Sequence, residues 1–146
     1  MMKILVVEDN AAMRAMIRLM LAHPGDEVQE CAEGAEALGA YARFLPDWVT
    51  MDLGLGLGRV DGLTASSQIK ARFPLAKIVI LTQHDDHALR LAAAKAGARA
   101  YFLKENLSRL REFFASDSLP VLPVLPVLPT PASKRTTEPL NQKGEL

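Results

Sequence analysis

Three acids, one hydroxyl and one amine stand at the ends of short apolar runs in this sequence. They are Glu8, Asp9, Asp52, Thr82 and Lys104. Carboxylates that cluster repel one another unless a cation joins them, and an all-oxygen ligand set suits Mg²⁺ better than zinc. An amine and a hydroxyl at the same place could hold an anion beside that metal. These residue types therefore indicate phosphoryl chemistry with a carboxylate as the nucleophile.

The five side chains can meet if the apolar runs are parallel strands of one sheet. We predict strands from the apolar runs, and helices from the stretches whose apolar residues recur at steps of three and four. The strands are predicted at 3–7, 27–31, 47–51, 77–81 and 99–103, and the helices at 12–21, 35–44, 63–73, 87–96 and 106–114. This alternation predicts an α/β fold, a (βα)₅ doubly wound five-stranded parallel sheet covered on both faces. Ligands of such sheets bind beyond the carboxyl ends of the strands, where the five side chains are expected.

The first predicted helix is rich in methionine. Met13, Met16, Ile17, Met20 and Leu21 recur at steps of three and four, which predicts that they share one face of the helix. We expect this face to belong to the core rather than to form a binding surface.

The composition narrows the class of protein. The chain has 146 residues, with 17 basic and 17 acidic side chains and a formal net charge of zero. This balance excludes a strong basic footprint, so no direct nucleic-acid binding is expected. No apolar run approaches the roughly 18 residues that span a bilayer, and the N-terminus becomes acidic too early for a signal peptide. We therefore expect a cytoplasmic protein without membrane contact.

Proline marks a predicted domain boundary. Six of the nine prolines follow Ser118, and residues 119–131 read LPVLPVLPVLPTP. Proline at this density disfavours helix and central strand, and polyproline II has three residues per turn. We predict a folded domain at 1–116 and a disordered tail or linker at 117–146. The repeat could serve as a plain linker or dock on a partner, and an effector domain missing after residue 118 is left open.

Four ordered motifs give the domain a specific resemblance. LVVEDN, VTMD, ILT and AGARAYFLK follow one another between residues 5 and 104. Over about residues 2–116 the chain resembles the receiver domain of bacterial two-component response regulators, as in chemotaxis regulators. The resemblance implies a flavodoxin-like fold with strand order 2-1-3-4-5. It also implies a phosphorylation-activated signalling switch rather than an enzyme, catalysing at most its own phosphoryl transfer and dephosphorylation.

The resemblance assigns the acidic residues to the acceptor and the metal. Asp52 matches the aspartate that accepts the phosphoryl group. Asp9 matches a direct Mg²⁺ ligand, and Glu8 matches its acidic neighbour. The backbone carbonyl of Gly54 and the carboxylate of Asp52 complete the metal ligands that the family implies.

The remaining matches concern the switch and the partners. Thr82 matches the hydroxyl that moves to the phosphoryl group, and Lys104 matches the amine that pairs with it. Tyr101 matches the aromatic side chain that turns inward when the hydroxyl moves. A histidine kinase or a histidine phosphotransfer protein is the implied phosphoryl donor. The fourth helix, fifth strand and fifth helix form the implied face for a downstream protein or for a homodimer.

Some positions depart from the family pattern. Gly56 stands where proline is expected, and the stretch up to Gly62 is about two residues longer than usual. Gln83 replaces a small residue, and His84 occupies a position that tunes dephosphorylation. These departures favour an alternative, a degenerate receiver that acts as a phosphorylation-independent protein-interaction module. An aspartate-nucleophile phosphatase is disfavoured because Gly54 stands where its second acid is needed, and a flavin-binding function has only the fold to support it.

Overall fold

The computed structural model describes residues 1–54 and 60–116, which form a parallel sheet with helices on both faces. The strands are β1 (Lys3–Val7), β2 (Glu27–Cys31), β3 (Trp48–Met51), β4 (Ile78–Thr82) and β5 (Ala100–Leu103). The helices are α1 (Ala11–Leu21), α2 (Gly34–Phe44), α3 (Gly62–Arg72), α4 (His87–Lys95) and α5 (Leu110–Ser116). The strands lie in the order β2-β1-β3-β4-β5, and every pairing is parallel. The predicted α/β fold and the strand order implied by the resemblance are both confirmed.

The last helix differs from its prediction. We predicted one helix at 106–114, whereas the chain forms a 3₁₀ helix over Lys104–Arg109 and only then α5. Asn106 interrupts the helical backbone, with φ −103° and ψ 22°. A 3₁₀ segment is common at the start of an α-helix, and apolar periodicity does not distinguish it from α-helix.

Short polar side chains fix the start of three helices. Asn10, Asp61 and Asp86 each accept a hydrogen bond from the backbone amide three residues further on, at 2.8, 2.8 and 3.1 Å. Each satisfies one of the free N–H groups that a helix leaves at its N-terminus. These caps determine where α1, α3 and α4 leave the carboxyl edge of the sheet.

The sheet separates two apolar clusters. On one face, Ile4 and Val6 of β1 pack with α1 and α5. On the other, Leu5 and Val7 pack with α2, α3 and α4. The near-continuous apolar run of β1 is explained by this burial on both faces.

The methionine face of α1 is only partly in the core. Ile17 and Leu21 are buried and Met13 is half-buried, but Met16 and Met20 are 51% and 41% exposed. The prediction that the whole face is buried was therefore wrong for Met16 and Met20. Residues at steps of three and four cover a wider arc than an 11-residue helix buries against one sheet face.

Two predictions lie outside the described residues. They are the tail at 117–146, with its LPV repeat, and the departure at Gly56, which falls within 55–59. Of the helices in the described ranges, none combines the length and the apolar character needed to cross a membrane.

Candidate functional site

Three carboxylates meet at the carboxyl edge of the sheet. Glu8 and Asp9 follow β1, and Asp52 follows β3, which is hydrogen-bonded to β1 with Val7 opposite Met51. The Asp52 amide extends this pairing by donating to the carbonyl of Val7 at 3.0 Å. One carboxylate oxygen from each of the three acids lies within 4.8 Å of the others. Strand pairing alone therefore brings together acids that are more than 40 residues apart in sequence.

Lys104 supplies the one amine of this cluster. Its Nζ lies 2.9 Å from Oε1 of Glu8 and 3.3 Å from Oδ1 of Asp52. The side chains of Lys104, Glu8 and Asp52 are only 11%, 2% and 8% exposed. Alternation explains the meeting, because Val6 and Phe102, two residues before Glu8 and Lys104, both pack on the α1 and α5 face.

The pKa values of the cluster show how its charges are held. Burial is the largest influence on Glu8 and raises the pKa of its carboxyl, and the charge of Asp52 raises it further; the hydrogen bond from Lys104 offsets part of this. Burial alone lowers the pKa of Lys104, but the hydrogen bond to Glu8 and the charge of Asp52 outweigh it and raise the pKa. Lys104 therefore stays protonated beside the acids.

The loop that carries Glu8 and Asp9 is held by a side chain that the sequence analysis missed. Nη1 of Arg14 donates to the carbonyl of Glu8 at 2.8 Å and to that of Asp9 at 3.3 Å. Nε of Arg14 pairs with Glu30 of β2 at 3.1 Å, which fixes the guanidinium. The spacing of an arginine one turn into a helix after an acid pair is the sequence signal that could have found it.

The Asp52 backbone is closely approached by a glycine. A Cβ built at Gly62, the first residue of α3, would overlap the carbonyl oxygen of Asp52. A side chain there would push α3 away from the acceptor loop, so glycine is required at this position. From the sequence, Gly62 was expected only to mark the end of the lengthened loop. Gly54 is exposed, and its amide lies 3.4 Å from Oδ1 of Asp52.

The predicted switch residues are linked through the backbone of His84. Thr82, buried at the end of β4, accepts a hydrogen bond on Oγ1 from the amide of His84 at 3.3 Å. Tyr101 is also buried, and its hydroxyl donates to the carbonyl of His84 at 2.6 Å. The Arg90 guanidinium lies 5.0 Å from the centre of the Tyr101 ring. The side chains of His84 and Gln83 are exposed, so the link between Thr82 and Tyr101 uses the main chain of this loop.

The donor set fits a hard divalent cation. Glu8, Asp9 and Asp52 contribute only carboxylate oxygens, and Lys104 neutralises one of their three charges when all are ionised. Oxygen ligands and an excess of two negative charges match the preference of Mg²⁺ rather than that of zinc or copper. The exposed Asp9 leaves one side of the cluster open to solvent and to a ligand.

Comparison with known proteins agrees with this geometry. The family model of the response regulator receiver domain matches residues 4–115. The oxygen regulatory protein NreC of Staphylococcus aureus (strain JH9) is 36% identical over 105 residues, 70% of this chain and 48% of that protein. The chain thus spans about half the length of the curated relatives it matches.

Solved structures show the same architecture. A LuxR-family two-component response regulator from Aurantimonas sp. SI85-9A1 is 32% identical, with a TM-score of 0.68, over 78% of this chain and 85% of that one. The receiver domain of NtrX from Brucella abortus is 27% identical, with a TM-score of 0.69, over 79% of this chain and 99% of that one. Because the family model covers most of the chain, the protein belongs to the response regulator receiver domain family, the signalling domains of two-component systems.

Proposed function

We propose that this domain is a phosphorylation-activated switch that accepts a phosphoryl group on Asp52 from a histidine kinase or a histidine phosphotransfer protein. The observation that carries the proposal is the meeting of Glu8, Asp9 and Asp52 within 4.8 Å, with the Lys104 amine 3.3 Å from Asp52. An isolated carboxylate is repelled by an anionic phosphoryl group. This one stands beside a fixed cation and a cation-binding set of acids.

The acceptor chemistry follows from the position of Asp52. One oxygen of its carboxylate forms the new P–O bond while the P–N bond to the donor imidazole breaks, and the imidazole nitrogen keeps the electron pair. Asp52 is 6% exposed, and Gly62 keeps its backbone against α3, so the nucleophile is held in place before the donor arrives.

The metal site is proposed from the same residues. Glu8, Asp9, Asp52 and the carbonyl of Gly54 would hold Mg²⁺, which when bound neutralises charge on the phosphoryl oxygens. Lys104 faces the same oxygens as a fixed positive charge, since its Nζ is already directed at Asp52. Arg14 keeps the backbone of Glu8 and Asp9 in the orientation that presents their carboxylates to the cluster.

The readout is proposed to pass through the loop after β4. A phosphoryl group on Asp52 offers acceptor oxygens to the hydroxyl of Thr82. When Thr82 moves toward them, it alters the hydrogen bond that its Oγ1 now accepts from the amide of His84. Tyr101 responds because its hydroxyl is bonded to the carbonyl of the same residue. The surface of α4, β5 and α5 would then present the change to a downstream protein or to a second copy.

The test is the intact mass of the full chain after incubation with acetyl phosphate and Mg²⁺. We expect the wild type to gain one phosphoryl group and Asp52→Asn to gain none. Asp47→Asn is the matched control, because Asp47 is an exposed aspartate just before β3, at the opposite end of that strand from Asp52, and should label like the wild type. Labelling of Asp52→Asn would place the acceptor elsewhere.

A wild type that gains no mass would contradict the switch. Absence of Mg²⁺ binding in a titration of the same sample would then favour the alternative, a degenerate receiver that binds partners without phosphorylation. The acceptor and the metal stand or fall together in this experiment because Asp52 takes part in both.

A further inference from the structure

The outer surface of α1 is apolar along its whole length. The exposed residues Ala12, Ala15, Met16, Leu19 and Met20 form a continuous face, which we call the α1 apolar face. Leu19 is 81% exposed. A helix on the surface of a soluble domain ordinarily turns polar residues outward, so an outward face of this composition indicates a contact.

The charged residues of α1 are engaged on one flank. Nε of Arg14 and Nε of Arg18 lie 3.1 and 2.6 Å from the carboxylate of Glu30 in β2. Since β2 is the outer strand of the sheet beside β1, this flank of α1 faces away from α5. At 100° per residue, Met16 and Met20 lie on the other flank, which faces α5.

α5 approaches the same region. Nη1 of Arg111 reaches across to the carbonyl of Leu21 at the end of α1, at 3.0 Å. Ala115 lies four residues beyond Arg111 on the same flank of α5 and is exposed. α5 therefore lies beside the end of α1.

The tail begins at this end of the molecule. Phe114, near the end of α5, stacks on Trp48 at a centroid distance of 4.6 Å, and Trp48 is the first residue of β3. Both α1 and α5 thus end at the amino edge of the sheet, and the described chain stops at Ser116, in the last turn of α5. Residue 119 is three residues further on, a reach of about 10 Å.

The sequence of the tail matches an apolar surface. Residues 119–129 contain leucine at every third position, together with proline and valine, and no charged side chain. In polyproline II conformation, leucines three residues apart lie on one edge about 9 Å apart. On α1, positions seven residues apart, such as Ala12 and Leu19, are separated by about 10 Å along the axis.

From these observations we infer that residues 119–129 fold back onto the domain and pack their leucine edge on the α1 apolar face. α1 has 11 residues and is about 16 Å long, whereas 11 residues of polyproline II extend about 34 Å. The face therefore takes two successive leucines, Leu119 and Leu122, and the rest of the repeat extends past it. The contact makes α1 unavailable to other partners while the tail is docked.

Other surfaces fit the repeat less well. The cleft of about 330 Å³ between β2 and α2 is lined by polar and charged side chains that include Glu30, Glu36 and Arg43. The further exposed leucines of the described chain are far apart in sequence: Leu45 and Leu75 lie in loops and Leu91 lies in α4. A row of leucines buries the most apolar area where several apolar side chains lie next to one another, as they do on the α1 apolar face.

The test places a spin label in the tail of the full-length chain and reads its position by NMR. Val124→Cys, in a Cys31→Ala background, carries a nitroxide, and the ¹⁵N-labelled chain reports which amides it broadens. We expect broadening at Ala15–Met20. A tail that does not dock would broaden all amides near the end of α5, those at the end of α1 included, without a maximum on the α1 apolar face. Broadening of Ala15–Met20 no stronger than that of amides equally far from Ser116 on other elements would overturn the inference.

Matched variants show which leucines are responsible. Leu19→Glu, and separately the pair Leu119→Ser and Leu122→Ser, are expected to lower the ratio of docked to undocked tail about tenfold or more. Leu75→Glu changes a leucine that is 93% exposed elsewhere and should leave the broadening unchanged. Broadening that survives Leu19→Glu would overturn the inference. So would broadening that arises only between spin-labelled ¹⁴N and unlabelled ¹⁵N molecules, because a second copy would then occupy the face.

Discussion

Two buried ion clusters lie at opposite ends of the sheet. At the carboxyl edge, Lys104 faces the two buried carboxylates Glu8 and Asp52. At the amino edge, Arg111 faces the single carboxylate Asp26 at 2.6 Å, and Asp26 also accepts from the amides of Met2 and His23 at 2.8 and 2.9 Å. The first cluster has more acid than base, and the second is balanced.

The pKa values express the same difference. The pKa of Glu8 is raised, first by burial and then by Asp52. Burial acts in the same direction on Asp26, yet its hydrogen bonds from His23, Arg111 and Met2 together lower its pKa. A cluster in which burial and repulsion disfavour the ionised carboxylates is suited to bind a cation and an anion. A cluster in which hydrogen bonds favour the ionised carboxylate stabilises the fold. Both clusters consist of acidic and basic side chains, and the ratio of acid to base distinguishes them.

The largest effect is expected from Asp26→Asn. Asp26 has a side chain only 2% exposed, and its loss of charge leaves Arg111 without its charged partner, so the free energy of unfolding should fall by about 3 kcal/mol. Chemical denaturation measures it. Asp47→Asn is the control, because Asp47 also accepts a backbone hydrogen bond but is exposed. Equal losses in the two variants would show that burial of Asp26 adds nothing.

A smaller loss is expected from Lys104→Met. Without the amine, Glu8 and Asp52 face each other without a cation, and the free energy of unfolding should fall by about 2 kcal/mol. Mg²⁺ should narrow the difference in free energy of unfolding between Lys104→Met and the wild type. It should leave the difference between Asp26→Asn and the wild type unchanged, because only the first cluster has acid in excess.

Lys95→Met, which removes an exposed lysine from the last turn of α4, is the control for Lys104→Met. Its free energy of unfolding should stay within about 0.5 kcal/mol of the wild type. If Mg²⁺ raised the stability of all the variants equally, the metal would not be acting at the carboxyl edge.

The fold and the members of the carboxyl-edge cluster could be predicted from the sequence. Apolar runs ending in Glu8, Asp52 and Lys104 carry enough signal, because parallel strands must end at one edge and the strand order follows from the resemblance. The balanced cluster could not be predicted, since Asp26 and Arg111 are 85 residues apart and neither stands at the end of an apolar run. Polar side chains from two elements far apart in sequence leave no periodic signal when they pair.

The exposure of α1 shows a second limit. The spacing of Met16 and Met20 relative to Ile17 is compatible with one buried face. The spacing alone does not determine how α1 is rotated about its axis on the sheet. Pairing of Arg14 and Arg18 with Glu30 accompanies the rotation that is observed, and these contacts depend on the tertiary structure. The 3₁₀ segment before α5 was missed for a similar reason, because the backbone of Asn106 departs from helix without an apolar marker.

Low pH should reduce the difference in free energy of unfolding between the wild type and Asp26→Asn. The pKa of Asp26 is lowered in the folded chain from its ordinary value of 3.8. Its contribution to stability is therefore fully present above about pH 4 and is lost as the pH falls through the folded pKa. The gap in free energy of unfolding between the two proteins should be constant from pH 7 to pH 5 and narrow below pH 4. A gap that widened in acid would mean that the carboxyl is held protonated.

The smallest change in the free energy of unfolding is expected from Asp52→Asn. The sign of this change distinguishes the cluster at the carboxyl edge from the cluster at the amino edge. The substitution removes one of two carboxylates that share Lys104, while the pair of Lys104 with Glu8 at 2.9 Å remains. Repulsion between Glu8 and Asp52 disappears, so without Mg²⁺ the free energy of unfolding should stay the same or rise by up to about 1 kcal/mol. At ten times its dissociation constant, Mg²⁺ should then stabilise the wild type by about 1.4 kcal/mol and Asp52→Asn by less, because the variant has lost one ligand. Thermal or chemical unfolding with and without Mg²⁺ measures both quantities. A fall as large as that of Asp26→Asn would show that Asp52 is held as a structural ion pair, and the contrast between the two edges of the sheet would not stand.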